Sequence, residues 1–156
     1  MSAEIREVRG DRRAFLPLLL LADEQEDMIG RYLDRGTLFA LYDGGEARAV
    51  CLVTEEGEGV YEVKNLAVAP EYQRRGYGRA LLAFVCRRCR GGHTLLVGTG
   101  ESPRTVPFYE RCGFTYSHRI KDFFTAHYDH PIVEDGMLLR DMVYFRRSLK
   151  GGAAKE

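Results

Sequence analysis

"VAPEYQRRGYGRALL", residues 68–82, is the stretch whose reading decides the fold. An apolar, strand-like run ends at Val68, and a segment of helical period begins at Gly76. Between and around them stand Arg74, Arg75, Tyr77 and Arg79, with Gly76 and Gly78, where a plain turn would suffice. A helix N-terminus exposes unpaired N–H groups and carries partial positive charge, so it attracts phosphates. The two glycines remove side chains where a ligand must approach the backbone, and the arginines add formal charge at the same point. The turn therefore reads as a clasp for an anion, best a di- or triphosphate moiety. It is not a P-loop, which needs Gly-Lys-Ser/Thr, and a dinucleotide fingerprint would need a third glycine where Leu81 stands.

On the N-terminal side, "TLFALYD" (37–43), "ARAVCLVTEE" (47–56) and "VYEVKNLAVAP" (60–70) are strand-like runs separated by "GGE" and "GEG", the pattern of an antiparallel meander. Before them, "EIREV" (4–8) alternates as a first strand. "PLLLLADEQEDMIGRYLDRG" (17–36) reads as a helix broken near Asp23, with Met28, Ile29, Tyr32 and Leu33 on one stripe and Gly36 as its stop. On the C-terminal side, residues 76–90 place Leu81, Leu82, Val85 and Cys89 on one helical face. "HTLLVGTG" (93–100) is a short buried strand, and "TVPFYERCGF" (105–114) a short helix beginning near Pro107 and closed at Gly113. The rest holds aromatic-rich strand candidates, notably "DMVYFRRSL" (141–149). The order is β-α-α-β-β-β-α-β-α-β-β. Strands 60–68 and 94–99 flank a helix and should be parallel neighbours joined by a right-handed crossover. Ligands collect at the carboxyl ends of such strands, where the clasp lies.

The 156 residues fit one domain over 1–149, with a frayed tail over 150–156. Lys plus Arg (23) balances Asp plus Glu (23), which speaks against an extended nucleic-acid surface. The charged N-terminus lacks the apolar core of a signal peptide, and "LPLLLLA" is far too short to span a bilayer. The four cysteines, at 51, 86, 89 and 112, show no framework spacing and read as thiols of a reducing cytoplasm. Cys86-x-x-Cys89 lies in a helical stripe with no second pair, so a metal is not expected.

"QRRGYG" (Gln73 to Gly78), entered from "NLAVAP" and running into "RALL", resembles the acyl-CoA signature of the GNAT N-acetyltransferase superfamily. "VPFYERCGF" (Val106 to Phe114) is similar to that family's late helix, with its Phe-Tyr pair and closing Gly-Phe. The resemblance covers Leu38 to Phe114 and implies an α/β (α+β) GNAT fold. That fold has a mixed, largely antiparallel sheet of about seven strands, flanking helices, and strands four and five parallel and splayed. Acetyl-CoA would lie in the cleft between those strands. Its pyrophosphate would take main-chain N–H groups of the 74–79 turn, Arg74, Arg75, Gly76, Tyr77, Gly78 and Arg79, with Gln73 also among the cofactor-binding residues, and its pantetheine arm would pair with Leu66, Ala67 and Val68. An amine would attack the thioester directly in a ternary complex, and a base and an acid would handle the protons. A small-molecule acceptor is expected. The alternatives are a protein or peptide acceptor, or a non-catalytic acyl-CoA-binding module.

Glu62 sits inside a strand that should be central, 14 positions before Gly76, the place of the glutamate base in family members that have one. Partial burial would raise its pKa and help it take a proton, directly or through water; the rival role is an ion pair with Lys64 or an arginine. Tyr109 matches the family tyrosine that protonates the departing thiolate; the rival role is packing. Ser102, in "GTGESP", stands where the family more often has a polar asparagine toward the pantetheine arm. Asn65 either orients substrate or caps a strand irregularity. His127 and His130 line the substrate mouth, supply the base, or are solvated. Glu24, Glu26, Asp27 and the stretch 121–136 bring acids and aromatics to the substrate loops, a polarity suited to a cationic amine. Exposed late strands leave room for a homodimer.

Overall fold

In the computed structural model, which describes residues 3–150, a seven-stranded sheet runs in the order β1-β2-β3-β4-β5-β9-β6. The frayed tail expected over 150–156 lies, apart from Lys150, outside the described residues. The strands are β1 (Glu4–Glu7), β2 (Thr37–Asp43), β3 (Glu46–Gly57), β4 (Val60–Val68), β5 (Thr94–Gly100), β6 (Thr115–Ile120) and β9 (Met142–Ser148). All neighbours pair antiparallel except β4 and β5, which are parallel. A two-stranded hairpin, β7 (Val133–Glu134) and β8 (Met137–Leu138), stands apart from the main sheet.

Both faces of the central strands are buried, and this explains their near-continuous apolar sequence. In β2, Phe39 and Leu41 face α3 (Tyr77–Arg88), against Leu81, Leu82 and Val85. Leu38 and Ala40 face the other way, toward Leu19 of α1 (Leu16–Ala22) and Ile29 of α2 (Glu26–Ile29). The expected second helix is shorter than its stripe: α2 is a single turn, continued by turns that still bury Tyr32 and Leu33. Gly30, adjacent to α2 and poor in helix propensity, is consistent with that early end. Segment 33–36 is pinned from outside, because Arg12 donates to the carbonyls of Leu33 and Gly36 at 2.7 Å each.

The late chain differs from the linear reading. β9 inserts between β5 and β6, so the last strand is internal and β6 takes the edge. Six described residues of β6 show a mostly exposed pattern, as an edge strand allows. Between β6 and β9 lie α5 (Phe123–His127) and the β7–β8 hairpin, two elements the sequence reading did not place. Phe124, Ile132 and Leu139 give this excursion a small core of its own. Among the described residues, no helix is long and apolar enough to cross a membrane.

Candidate active site

β4 and β5 hold their ladder only over Val60–Val63 and Thr94–Val97; each strand then continues alone, to Val68 and Gly100. Two sequence features part them. Lys64 is an extra residue opposite the β3 step from Leu52 to Val53, and such a bulge bends its strand. On β5, Gly98 lets β9 side chains cross where a Cβ would stand 2.7 Å from Met142 Sδ and 2.8 Å from Tyr144 Cζ. A cavity of about 500 Å³ opens in the gap, with Lys64, Asn65 and Leu66 on one wall, Gly98 to Gly100 on the other, and Tyr109 among its lining.

At the carboxyl end of β4 the chain turns into α3. Arg74 and Gly76 take left-handed backbone (φ 66° and 83°), and α3 begins at Tyr77 with no side-chain cap, leaving its first N–H groups without helical partners. Gln73 donates from Nε2 to the Val68 carbonyl at 3.1 Å and ties the turn to the strand. Arg75 lies over the Tyr72 ring at 4.6 Å and 4.0 Å from Asp43, which also accepts from the Tyr77 hydroxyl. Arg74 and Arg79 remain exposed. Gly78 is buried against α4 (Thr105–Arg111): a Cβ there would stand 3.2 Å from Phe108. The β3-facing edge of Leu66, Ala67 and Val68 pairs with Cys51, Val50 and Ala49; of the three, Leu66 lines the cavity and Ala67 packs toward α1. Ser102 has its hydroxyl engaged at the start of α4, accepting from the backbone N–H of Thr105 at 3.1 Å and Arg104 at 3.3 Å. Thr105 faces the cavity in its place.

Glu62 is buried, 7% exposed. Its Oε1 pairs with Lys64 Nζ at 3.2 Å, and its Oε2 accepts from the Tyr144 hydroxyl at 3.0 Å. Lys64 lines the cavity, and Glu62 itself does not. Tyr144 was not anticipated; its ring stacks on His118 at 4.7 Å. Tyr109 is buried between Phe108 and Phe114, and burial raises its phenol well above the ordinary value, with Cys51 and Cys112 adding to the rise. It therefore keeps its proton at neutral pH. Cysteine chemistry is not prepared here: burial pushes Cys51 and Cys112 up, and Cys89 up to about 11.

Around Asp23 the cavity wall holds a network absent from the sequence reading. Tyr32 and Tyr128 donate to the two oxygens of Asp23 at 2.9 and 2.7 Å. Asn65 Nδ2 donates to Tyr32 Oη and to the Leu19 carbonyl, both at 3.0 Å. Burial holds the Asp23 carboxyl above its usual range, against the pull of the Tyr128 and Tyr32 hydroxyls. The next two residues extend the contact, Gln25 Oε1 accepting from Asp129 N at 3.0 Å and Glu24 meeting His130 at 3.1 Å. Asp23, Glu24, Glu134 and Asp135 line the cavity; Glu26, Asp27, His127 and His130 do not. The Asp-Gly of "VEDGML" (133–138) carried the signal for the hairpin that presents Glu134, whereas the Asp23–Tyr128 pair, 105 residues apart, had none.

Burial, and then Asp135, raise Glu134, with Arg104 opposing and Glu24 adding. A carboxyl raised on folding binds its proton more tightly folded than unfolded, so it withdraws stability as pH climbs from the ordinary carboxylate range through its folded value. Glu134→Gln should accordingly melt higher than the parent at neutral pH and level with it in acid, in thermal melts across that window.

Residues 34–116 match the family model for the acetyltransferase (GNAT) domain. An uncharacterized N-acetyltransferase of Bacillus subtilis, YvbK, is 35% identical over 129 residues, 81% of this chain and 83% of that protein. A structure of an IAA acetyltransferase from Bacillus cereus superposes with a TM-score of 0.88 at 32% identity, covering 94% of this chain and 99% of that one. A GNAT family acetyltransferase from Elizabethkingia anophelis, solved with acetyl-CoA bound, superposes with a TM-score of 0.89 at 29% identity, covering 94% and 97%.

Proposed function

The chain belongs to the GNAT acetyltransferase family, and on that premise we propose that it moves an acetyl group from acetyl-CoA to the primary amine of a small cationic molecule. The observation that carries the reading is the parting of β4 from β5 at Val63 and Val97, with the glycine turn at the end of β4 and a cavity reaching past Tyr109. Acetyl-CoA bound in the Elizabethkingia relative supports this co-substrate here. The reading takes residues 1–149 as one GNAT domain in the cytoplasm, in keeping with four buried cysteines that form no disulfide. The open edge of β6, where Tyr116 is 55% exposed, is the surface on which a homodimer would form.

The pyrophosphate would rest on the N–H groups that open α3, with Gln73 to Arg79 around it, and the pantetheine arm along Leu66 to Val68. Ser102 would serve this arm indirectly, by fixing the start of α4. The amine nitrogen attacks the thioester carbon and forms the C–N bond. The tetrahedral intermediate then breaks its C–S bond, and the electron pair leaves on sulfur. Tyr109, held protonated by burial, gives its proton to that thiolate. The ammonium proton passes to Glu62 through a bridging water, since Lys64 lines the cavity and the carboxylate paired with it does not. Raised thiol pKa values support direct attack over an acyl-cysteine.

The test is acetyl-CoA-dependent thiol release over alkylamines, diamines, amino acids, aminoglycosides, short peptides and IAA, the molecule the Bacillus cereus relative's name carries. Turnover on free amines is the expected result; turnover on peptides alone would move the acceptor to proteins. Acetyl-CoA binding by calorimetry without any turnover would make the chain a binding module. Gly78→Val should weaken acetyl-CoA binding about tenfold, because its methyls must displace Phe108 or block the approach to the α3 amides.

A further inference from the structure

Resting on the transferase reading above, we infer that the acceptor is a diamine, and that Asp23 and Asn65 seat its second, protonated nitrogen while the first meets the thioester. The Asp23 network has a direction. Leu19 O and Tyr32 Oη consume both protons of Asn65 Nδ2, so the amide cannot be flipped, and its Oδ1 is left with no donor. The protons of Tyr32 and Tyr128 are consumed by Asp23. Burial keeps both phenols protonated, so neither can turn round to become an anion. Every proton in the cluster is spent on the cluster, and what remains unspent is acceptor capacity alone: Asn65 Oδ1 and the remaining lone pairs of Asp23.

Asn65 is 3% exposed and lines the cavity, as Asp23 does. A buried acceptor without a donor is destabilising, and a buried carboxylate without a cation more so. The groups acting most strongly on Asp23 are its own burial, two tyrosines, a backbone N–H and Glu24, with no cation among them. The cations that line the cavity are engaged elsewhere, Lys64 with Glu62 at 3.2 Å and Arg104 with Asp135 at 2.8 Å. A ligand that supplies both charge and several donors answers all of this, and an ammonium carries three. The attacking amine must be neutral to react, so the seated ammonium is a different nitrogen of the same molecule. Leu21, Phe124, Ile132 and Leu139 add apolar wall to the same cavity, suited to a methylene spacer.

The experiment compares putrescine and cadaverine with butylamine, pentylamine and aminovalerate by thiol release, in the wild type and in Asp23→Asn. Diamine binding to the CoA complex is followed in parallel by calorimetry. The diamines should exceed monoamines of equal length in kcat/KM by roughly tenfold or more, the size of a charge-assisted hydrogen bond, and the ratio should fall toward unity in Asp23→Asn. Retained acetyl-CoA binding reports that the variant is folded; should it not fold, the wild-type ratio decides. Equal turnover of monoamines and diamines, preference for aminovalerate or IAA, or a ratio that survives in Asp23→Asn overturns the seat and leaves the transferase standing. Asp23-dependent diamine binding with no transfer to any amine overturns the transferase and leaves the seat. Absence of both turnover and diamine binding overturns the seat.

Discussion

Glu62→Gln should lower kcat for acetyl transfer by about a hundredfold or more, the usual weight of a positioned general base, while acetyl-CoA binding stays within about twofold of the wild type. Glutamine keeps the shape and can still accept from Tyr144, so the loss isolates proton acceptance from packing. The change also leaves Lys64 without its 3.2 Å partner, though Glu56 stands 3.8 Å from the same ammonium and limits the structural damage. Tyr144→Phe provides the contrast. It leaves the carboxylate in place and removes the hydroxyl that fixes Oε2, so it should cost about tenfold in kcat. Steady-state kinetics with calorimetry for acetyl-CoA separates the roles. A Glu62→Gln enzyme that melts lower but turns over at the wild-type rate would make Glu62 a strut for Lys64 and return the base to another group.

Gly36→Ala should be the most damaging small substitution in the N-terminal half. Gly36 has φ 65°, and a Cβ on it would stand 2.0 Å from the Val53 carbonyl oxygen and 2.9 Å from Thr54 Cα. Both obstacles are backbone of β3, next to the bulge that parts β4 from β5, so no side chain can swing away. Left-handed backbone costs a non-glycine residue roughly 1–2 kcal/mol, and forced displacement of packed neighbours adds about 1–3. Relief by rotation is opposed by Arg12, which holds the Leu33 and Gly36 carbonyls. About 3 kcal/mol in a chain of this length lowers Tm by about 10 °C, and a thermal melt measures it. A fall under about 2 °C would mean that the turn is slack. Gly76→Ala offers the comparison: its φ is 83°, yet nothing stands within 4 Å, so only the conformational cost applies.

What was legible in the sequence was local in origin. The meander of β2, β3 and β4 follows from alternation and from turns at Gly44-Gly45 and Gly57–Gly59. α3 follows from the spacing of Leu81, Leu82 and Val85, and the parallel β4–β5 pair from the helix between them. The glycine turn that opens α3 could be read because all its parts lie within seven residues, 73–79. The Asp23 network could not, because its parts meet only after folding: Asn65 reaches Leu19 across 46 residues and Asp23 reaches Tyr128 across 105. No periodicity records such a meeting. Glu62 was singled out from its position, but that its carboxylate would meet both Lys64 and Tyr144 depended on a bulge and on β9 entering the sheet beside β5. β6 was expected only as an unbounded strand candidate after the helix of 105–114, for a plainer reason. Residues 115–120 lie at an edge and are mostly exposed, so they lack the apolar run that marks a core strand.

The insertion of β9 between β5 and β6 bears on how the protein is made. As the chain leaves the ribosome, β1 to β5 can pair in the order in which they appear, each finding its partner already present. β6 cannot, because its only neighbour in the sheet is β9, whose pairing to it closes with Thr115 against Arg146. Until Ser148 is synthesised, the open edge of β5 and the whole of β6 wait unpaired, and Phe145, a core residue of the α3 side, is missing from its place. The nascent protein thus passes a stage in which the turn at 73–79 has been made and Met142, part of the cavity lining, is not yet in place. Chaperone demand, and sensitivity to premature termination, should concentrate in that last stretch of translation.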